Sequence, residues 1–218
     1  MTDLADTLRA VGLIPRAVVN GPAPCEVLPD DTRSIVLVGP DEPAFWEIFT
    51  ASPEYRDQSA DPLDRWSRRV LSPIAEQFGG KAILPSDGPP FAPFIQWALA
   101  SGRCWSSPVG LLVHDVTGLF LSFRGAIALP VPLPVDAAPD SPCTGCHAPC
   151  LTACPVDALG QDTYDVPTCK AYLRTDDGKT CHQGCLVRRA CPVSGAAAAE
   201  FHRLPVQSAF HMAAFMKE

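Results

Sequence analysis

Cys143-Thr-Gly-Cys146-His-Ala-Pro-Cys150-Leu-Thr-Ala-Cys154-Pro155 is the stretch on which the reading of this chain turns. A second run follows it: Cys169, eleven residues, Cys181, three residues, Cys185, five residues, Cys191, then Pro192. Eight of the ten cysteines lie in these two runs, and the phrase Ala-Cys-Pro-Val occurs in both, at 153–156 and 190–193. Cys150-Leu-Thr-Ala-Cys154-Pro-Val matches Cys185-Leu-Val-Arg-Arg-Ala-Cys191-Pro-Val apart from a two-residue insertion. The stretch reads as an internal duplication.

The first run is one residue longer, between its second and third cysteine, than the bacterial ferredoxin run that ligates paired 4Fe-4S clusters. A cubane needs four inward-pointing thiolates. Three come from one tight loop whose backbone amides can also donate to sulfur, and the fourth arrives from elsewhere. The proline after the fourth cysteine has no N–H and a fixed φ, and turns the chain away. In two-cluster ferredoxins that fourth cysteine serves the other cluster. Applied here, the rule predicts two [4Fe-4S] clusters with iron held by Cys143, Cys146, Cys150 and Cys191 on one, and by Cys154, Cys169, Cys181 and Cys185 on the second. Such a crossing would tie the two copies into one unit.

Zinc also takes four cysteines, but its usual signature is two separated Cys-x2-Cys pairs. Neither a Cys-Pro ending nor a crossed duplication follows from a tetrahedral site. A disulfide framework needs an oxidising compartment, and Met-Thr-Asp-Leu-Ala-Asp has neither the basic region nor the apolar core of a signal peptide. Cys25 and Cys104 stand outside the runs and are set apart from the cluster sites; Cys25, a lone cysteine, reads as simply buried.

A chain of 218 residues accommodates one large or two small domains, and 47% hydrophobic residues is ordinary for a protein with a core. The 24 prolines, about twice the usual proportion, predict stiff, irregular connections. A net charge of −7 argues against a nucleic-acid surface. No apolar run reaches the roughly 20 residues of a spanning helix, so the expectation is a cytoplasmic protein without membrane contact.

Along the chain, Leu4, Leu8 and Val11 predict a short helix closed by Gly12. Pro15 to Asn20 predicts a strand. Ile35-Val-Leu-Val38, between turn signals, has the pattern of a central strand buried on both faces. The Gly39-Pro40 turn after it could cradle a phosphate, but no Gly-x-Gly-x-x-Gly accompanies it. A helix then runs through Phe45 to Phe49. Leu63, Trp66, Val70, Ile74 and Phe78 form one helical stripe, with Asp61 as cap and Pro62 in the first turn; Arg65, Arg68 and Arg69 read as its solvated face. A strand at 81–84 and a helix at 91–100 continue the alternation, which favours an α/β layer. Residues 111–129 predict a hairpin turning near Gly118. His114 there could ligate a metal or be a hydrogen-bonded strand histidine. The proline-rich stretch 130–142 reads as a stiff link. Helices are predicted at 196–201 and 206–217. The class is therefore α+β, an α/β layered domain at 1–132 followed by a ferredoxin-like domain at 133–218.

These residues reach a resemblance. Ser107-Pro-Val-Gly-Leu-Leu-Val-His-Asp-Val-Thr-Gly-Leu-Phe-Leu-Ser-Phe-Arg-Gly-Ala-Ile, the two cysteine runs, and Tyr164-Asp-Val-Pro-Thr-Cys-Lys-Ala-Tyr-Leu between them are similar to the epoxyqueuosine reductase and corrinoid reductive dehalogenase group, over about residues 85–193. The resemblance implies two [4Fe-4S] clusters at the eight cysteines, feeding electrons to a cobalamin held by the preceding α/β domain. The family's proton-donating aspartate lies in a Val-Asp-Ser-x-Pro-Val phrase. Ser86-Asp87-Gly88-Pro89-Pro90 is the nearest match, making Asp87 a weak catalytic candidate beside the alternative of a carboxylate serving its turn. The tRNA-modifying members of the group carry a further helical-repeat domain; none is expected from these residues, and no tRNA substrate is expected.

Three functions remain open. One is an electron-transfer protein passing electrons to a redox partner, a small-molecule acceptor, or a cofactor on the amino-terminal domain. Another is a small reductase dependent on cobalamin or flavin. The third is a non-redox module whose clusters staple a small core. Arg188 and Arg189 could offset cluster charge, or could be a solvated pair.

Overall fold

Ile35-Val-Leu-Val38 lies within a strand in which every residue is buried, Ser34–Pro40 (β2), and the first half of the chain is built around it. The computed structural model describes residues 2–160, 163–194 and 205–217. Antiparallel to β2 on one side runs Leu13–Asn20 (β1), on the other Gly125–Leu129, and beyond the latter Lys81–Ile83. Numbered along the chain, Lys81–Ile83 is β3, Cys104–Ser106 is β4, Leu112–His114 is β5 and Gly125–Leu129 is β6. The sheet order is β1-β2-β6-β3 and every pairing is antiparallel. The α+β class stands, but the strand–helix alternation does not build a parallel layer. The chain returns through β6 beside β2, so β3 reaches the sheet only at its edge.

The helices of this half are Thr2–Arg9 (α1), Ala44–Thr50 (α2), Pro53–Arg56 (α3), Pro62–Gln77 (α4) and Phe94–Ala100 (α5). Leu63, Trp66, Val70 and Ile74 form the buried stripe of α4. Trp66 meets Phe45 and Phe49 edge-on, at centroid distances of 5.5 and 5.8 Å, contacts worth about 0.5–1.5 kcal/mol each beyond the area they bury. Asp61 occupies the cap position of α4 without capping it: its φ is +50° and its side chain accepts no cap hydrogen bond. The arginines of α4 are not a free solvated face either. Arg65 binds Asp57 through two nitrogens at 2.8 Å, Arg69 binds Glu54, and Arg68 binds Asp87. Gly39 answers a packing need, since a Cβ there would fall 2.6 Å from the Ser122 carbonyl oxygen. That close backbone approach explains the glycine without a phosphate.

The hairpin expected at 111–129 is replaced by another pairing. β5 pairs with β4, through a turn in which Gly110 has φ +71°, and β6 joins the large sheet instead. The turn His114 to Gly118 is closed by reciprocal backbone bonds of 3.1 and 2.9 Å. Gly125–Leu129 is buried at every position, which suits a place inside the large sheet between β2 and β3 rather than one arm of a two-stranded hairpin.

Two compact units result, and neither is one continuous stretch: Met1–Arg103 with Ser122–Ala138, and Cys104–Leu121 with Pro139–Glu218. The division at 132/133 read from the sequence is linear, whereas residues 104–121 group with the cysteine region. The proline-rich stretch begins anchored on the first unit, where Leu133 exchanges two hydrogen bonds with the Asn20 amide (2.7 and 3.0 Å). The second unit has short elements: a 3-10 turn at Pro149–Thr152, then Val166–Leu173 (α6), Lys179–His182 (α7), Leu186–Ala190 (α8) and Pro205–Met216 (α9). The helix expected at 196–201 lies outside the described residues.

Candidate functional site

The core of the second unit is partly made of sulfur. Cys150 and Cys191 are buried together with Val109, Val113, Leu119, Leu159 and Val187, and Cys143, Cys154 and Cys185 pack against that group. Local geometry presents the thiols. In the first loop, the Cys146 N–H donates to the Cys143 carbonyl (3.2 Å) and Gly145 takes a φ of +73°, a conformation suited to glycine. The N–H of Ala148 then donates to Cys146 Sγ at 3.4 Å. Further on, Ala158 N–H donates to Cys154 Sγ at 3.3 Å. Asp165 caps α6 by accepting from Thr168 N–H at 2.9 Å, which sets Cys169 in the first turn of that helix.

The thiols fall into two electrostatic sets. Cys143 is raised above the ordinary thiol range by burial and then by its neighbours Cys191, Cys146 and Cys150. Burial also raises Cys150, against its own backbone hydrogen bond, with Cys191 and Cys146 adding to the rise. In the other set, burial raises Cys169, a hydrogen bond from Tyr164 opposes it, and Cys185, Cys154 and Cys181 raise it further. Cys181 rises through burial, with Cys185 and Cys154 contributing. Cys191, from the second run, thus sits with three cysteines of the first, and Cys154 sits with the second run. Among the described residues no three Cys, His, Asp or Glu side chains converge closely enough to hold one metal ion.

The first set opens on an apolar cavity lined by Cys143, Cys146, Cys150 and Cys191 together with Pro108, Val113, Leu119 and Val193. Ser194, fully buried, ties the Cys191-Pro segment to the turn before Leu119: its Oγ accepts from Leu119 N–H at 2.7 Å. A Cβ on Gly118, whose φ is +57°, would come within 2.5 Å of Ser194 N and Oγ, so glycine is required at that contact.

The second set has polar company. Tyr164 Oη lies 3.9 Å from Cys169 Sγ as a donor, and its own ionisation is pushed up mainly by burial and then by the nearby thiols. Its ring stacks on Phe215 of α9, at 6.2 Å and 6°. Arg188 donates to the Leu119 carbonyl oxygen. Burial lowers its pKa while Cys185 and Tyr164 hold it up. Arg189 is exposed. The two arginines therefore differ: one stands beside the thiols, the other in solvent.

The remaining candidates lie elsewhere or are otherwise engaged. His114 is buried, and its Nδ1 accepts from the N–H groups of Val116 (3.1 Å) and Thr117 (3.2 Å). It is a strand histidine holding its turn. Asp87, in the first unit, accepts from Leu84 N–H at 3.1 Å and binds Arg68 with its other oxygen, so its carboxylate serves the turn. Cys104 is buried in β4, and Cys25 is partly buried in a loop of the first unit. Sequence reasoning missed Ser107, Ser194 and the contact from Tyr164, because a serine or tyrosine carries no spacing signal of its own.

No family model matches the chain, and no solved structure matches it. Curated relatives do. The chain is 28% identical to the epoxyqueuosine reductase of Pseudomonas aeruginosa over 151 residues, 68% of this chain and 40% of that protein. It is 30% identical to that of Aliivibrio fischeri over 137 residues, 62% of this chain and 35% of the relative. With the Escherichia coli protein it shares 34% over 85 residues, 38% of this chain and 22% of that one. The chain thus spans two fifths or less of the length of these relatives. The resemblance to the epoxyqueuosine reductase group is real, and the relatives are reductases by name.

Proposed function

We propose that this chain is an iron–sulfur redox protein that carries two [4Fe-4S] clusters and passes electrons to a partner or to a cofactor on its first unit. The observation that carries the reading is geometric: Cys191 of the second run lines one cavity together with Cys143, Cys146 and Cys150 of the first. Four thiolates per cubane is the required count, and the residues present fit it. Cys143, Cys146, Cys150 and Cys191 would hold one cluster, and Cys154, Cys169, Cys181 and Cys185 the other. A cubane keeps its cysteine sulfurs on its outside, farther apart than the ligands of one ion, so thiols that are neighbours without converging are compatible with it.

The protein's own contribution is burial, thiols and donors. The ligands of such a cluster must be thiolates, so loading iron would displace the thiol protons and release acid. When bound, the clusters supply one-electron transfer. The N–H groups of Ala148 and Ala158 point at sulfur, and such bonds stabilise the reduced, more negative state. The test is iron and acid-labile sulfide per chain after anaerobic purification. About eight of each supports the reading; one zinc and no sulfide overturns it.

The names of the relatives favour a second reading, a small reductase, for which the family resemblance makes cobalamin, or else flavin, the cofactor to test. Anaerobic cluster reconstitution followed by addition of either cofactor decides it. A shifted cofactor spectrum and co-elution on gel filtration support the reductase, and absence of both leaves the carrier.

A further inference from the structure

Ser107 stands at the cavity of the first thiol set with a polar group that the fold does not use. Its backbone is engaged in the β4–β5 turn: the N–H donates to Leu111 O and the carbonyl accepts from Gly110 N–H, both at 2.9 Å. The residue is 6% exposed, and its Oγ has no hydrogen-bond partner among the described residues. It lines the cavity formed by Cys143, Cys146, Cys150 and Cys191, where the other walls near it are apolar, among them Val113 and Leu119. A buried hydroxyl without a partner is costly and rare in folded proteins. In this cavity the acceptors that could relieve it are sulfurs.

We infer that the Ser107 hydroxyl is a built-in hydrogen-bond donor to the cluster held by Cys143, Cys146, Cys150 and Cys191, setting its reduction potential above the value the apolar cavity would give. This rests on the two-cluster reading proposed above. An O–H pointed at a sulfur stabilises the reduced state, which carries the extra negative charge, more than the oxidised one. Ser107 is thus a positioning residue that tunes the site without ligating iron. The effect is confined to one cluster, since Ser107 lines the first set and not the second.

The test is a potentiometric titration of the anaerobically purified full chain, with the clusters followed by electron paramagnetic resonance, in wild type and Ser107→Ala. The expected result is unchanged iron content with one midpoint lowered. At the wild-type midpoint the reduced-to-oxidised ratio of that cluster should fall about tenfold, about 59 mV for a one-electron couple, while the other cluster stays in place. Should Ser107→Ala fail to hold iron, Ser107→Thr and Ser107→Val are compared, since they match in bulk and differ by the hydroxyl. A higher midpoint in the threonine protein supports the donor, and equal midpoints overturn it. Two unchanged midpoints in an iron-replete Ser107→Ala protein also overturn it. Wild-type protein lacking iron and sulfide would instead remove the two-cluster reading itself, and the role of Ser107 with it.

Discussion

Exchange of one cysteine between the two runs can be tested by removing thiols in pairs. Cys150 and Cys191 are 41 residues apart but belong to one electrostatic set, whereas Cys150 and Cys154 are neighbours in sequence and belong to different sets. The double variant Cys150→Ala/Cys191→Ala takes two ligands from a single cluster and none from the other. About four irons per chain should remain, in one intact [4Fe-4S] cluster with its wild-type midpoint. The double variant Cys150→Ala/Cys154→Ala takes one ligand from each, and no unperturbed cluster should survive. Truncating the buried thiols of Cys150 and Cys191 leaves small cavities costing about 1 kcal/mol each, and the partly buried thiol of Cys154 costs less; because cluster loss can itself unfold a small core, circular dichroism of both variants separates unfolding from ligand loss. Iron and sulfide analysis with electron paramagnetic resonance of the reduced proteins gives the answer. If Cys150→Ala/Cys154→Ala keeps an intact cluster and Cys150→Ala/Cys191→Ala keeps none, the runs are uncrossed and the reasoning fails.

Other outcomes follow from single contacts. Arg188→Gln removes a positive charge beside Cys185 and should lower the midpoint of the cluster in the second set; Arg189→Gln, at an exposed position, should leave it unchanged, and equal effects would show that distance to the thiols is irrelevant. Gly118→Ala places a Cβ 2.5 Å from Ser194 and strains a φ of +57°; it should cost about 1–3 kcal/mol and weaken iron retention by the set containing Cys191, which iron analysis after dialysis would read. Glu54 is 7% exposed and its carboxyl is lowered from 4.5 to about 2, chiefly by its hydrogen bond from Arg69. A depressed carboxyl contributes stability above its unfolded pKa and loses it as pH falls toward the folded one. Discounted for the half-exposed Arg69, Glu54→Gln should cost on the order of 2 kcal/mol at neutral pH, with the gap closing as pH drops below about 4.5. Denaturant unfolding at several pH values measures it, and a pH-independent gap would assign the loss to packing instead.

Much of the first unit was legible because its signals are local. The buried run 35–38 became β2, and the stripe Leu63, Trp66, Val70 and Ile74 became the buried face of α4. Which strands pair was not legible, since short apolar runs such as 111–113 and 125–129 suit more than one partner; the structure pairs β5 with β4 and places β6 beside β2. Asp61 sits where a cap belongs, yet its left-handed backbone takes the side chain away from the helix N–H groups.

For the candidate site the division is similar. Spacing alone singled out eight thiols, set Cys25 and Cys104 aside, and suggested the crossing, because cysteine count and the Cys-Pro endings are properties of the chain. Only the tertiary structure decided what surrounds them: Ser194 holding the Cys191 segment, Tyr164 beside Cys169, Arg188 against the thiols with Arg189 in solvent, and the Ser107 hydroxyl at an apolar cavity. Those contacts join residues up to 75 positions apart. A hydroxyl or guanidinium acts through distance and desolvation, and neither exists until the chain has folded.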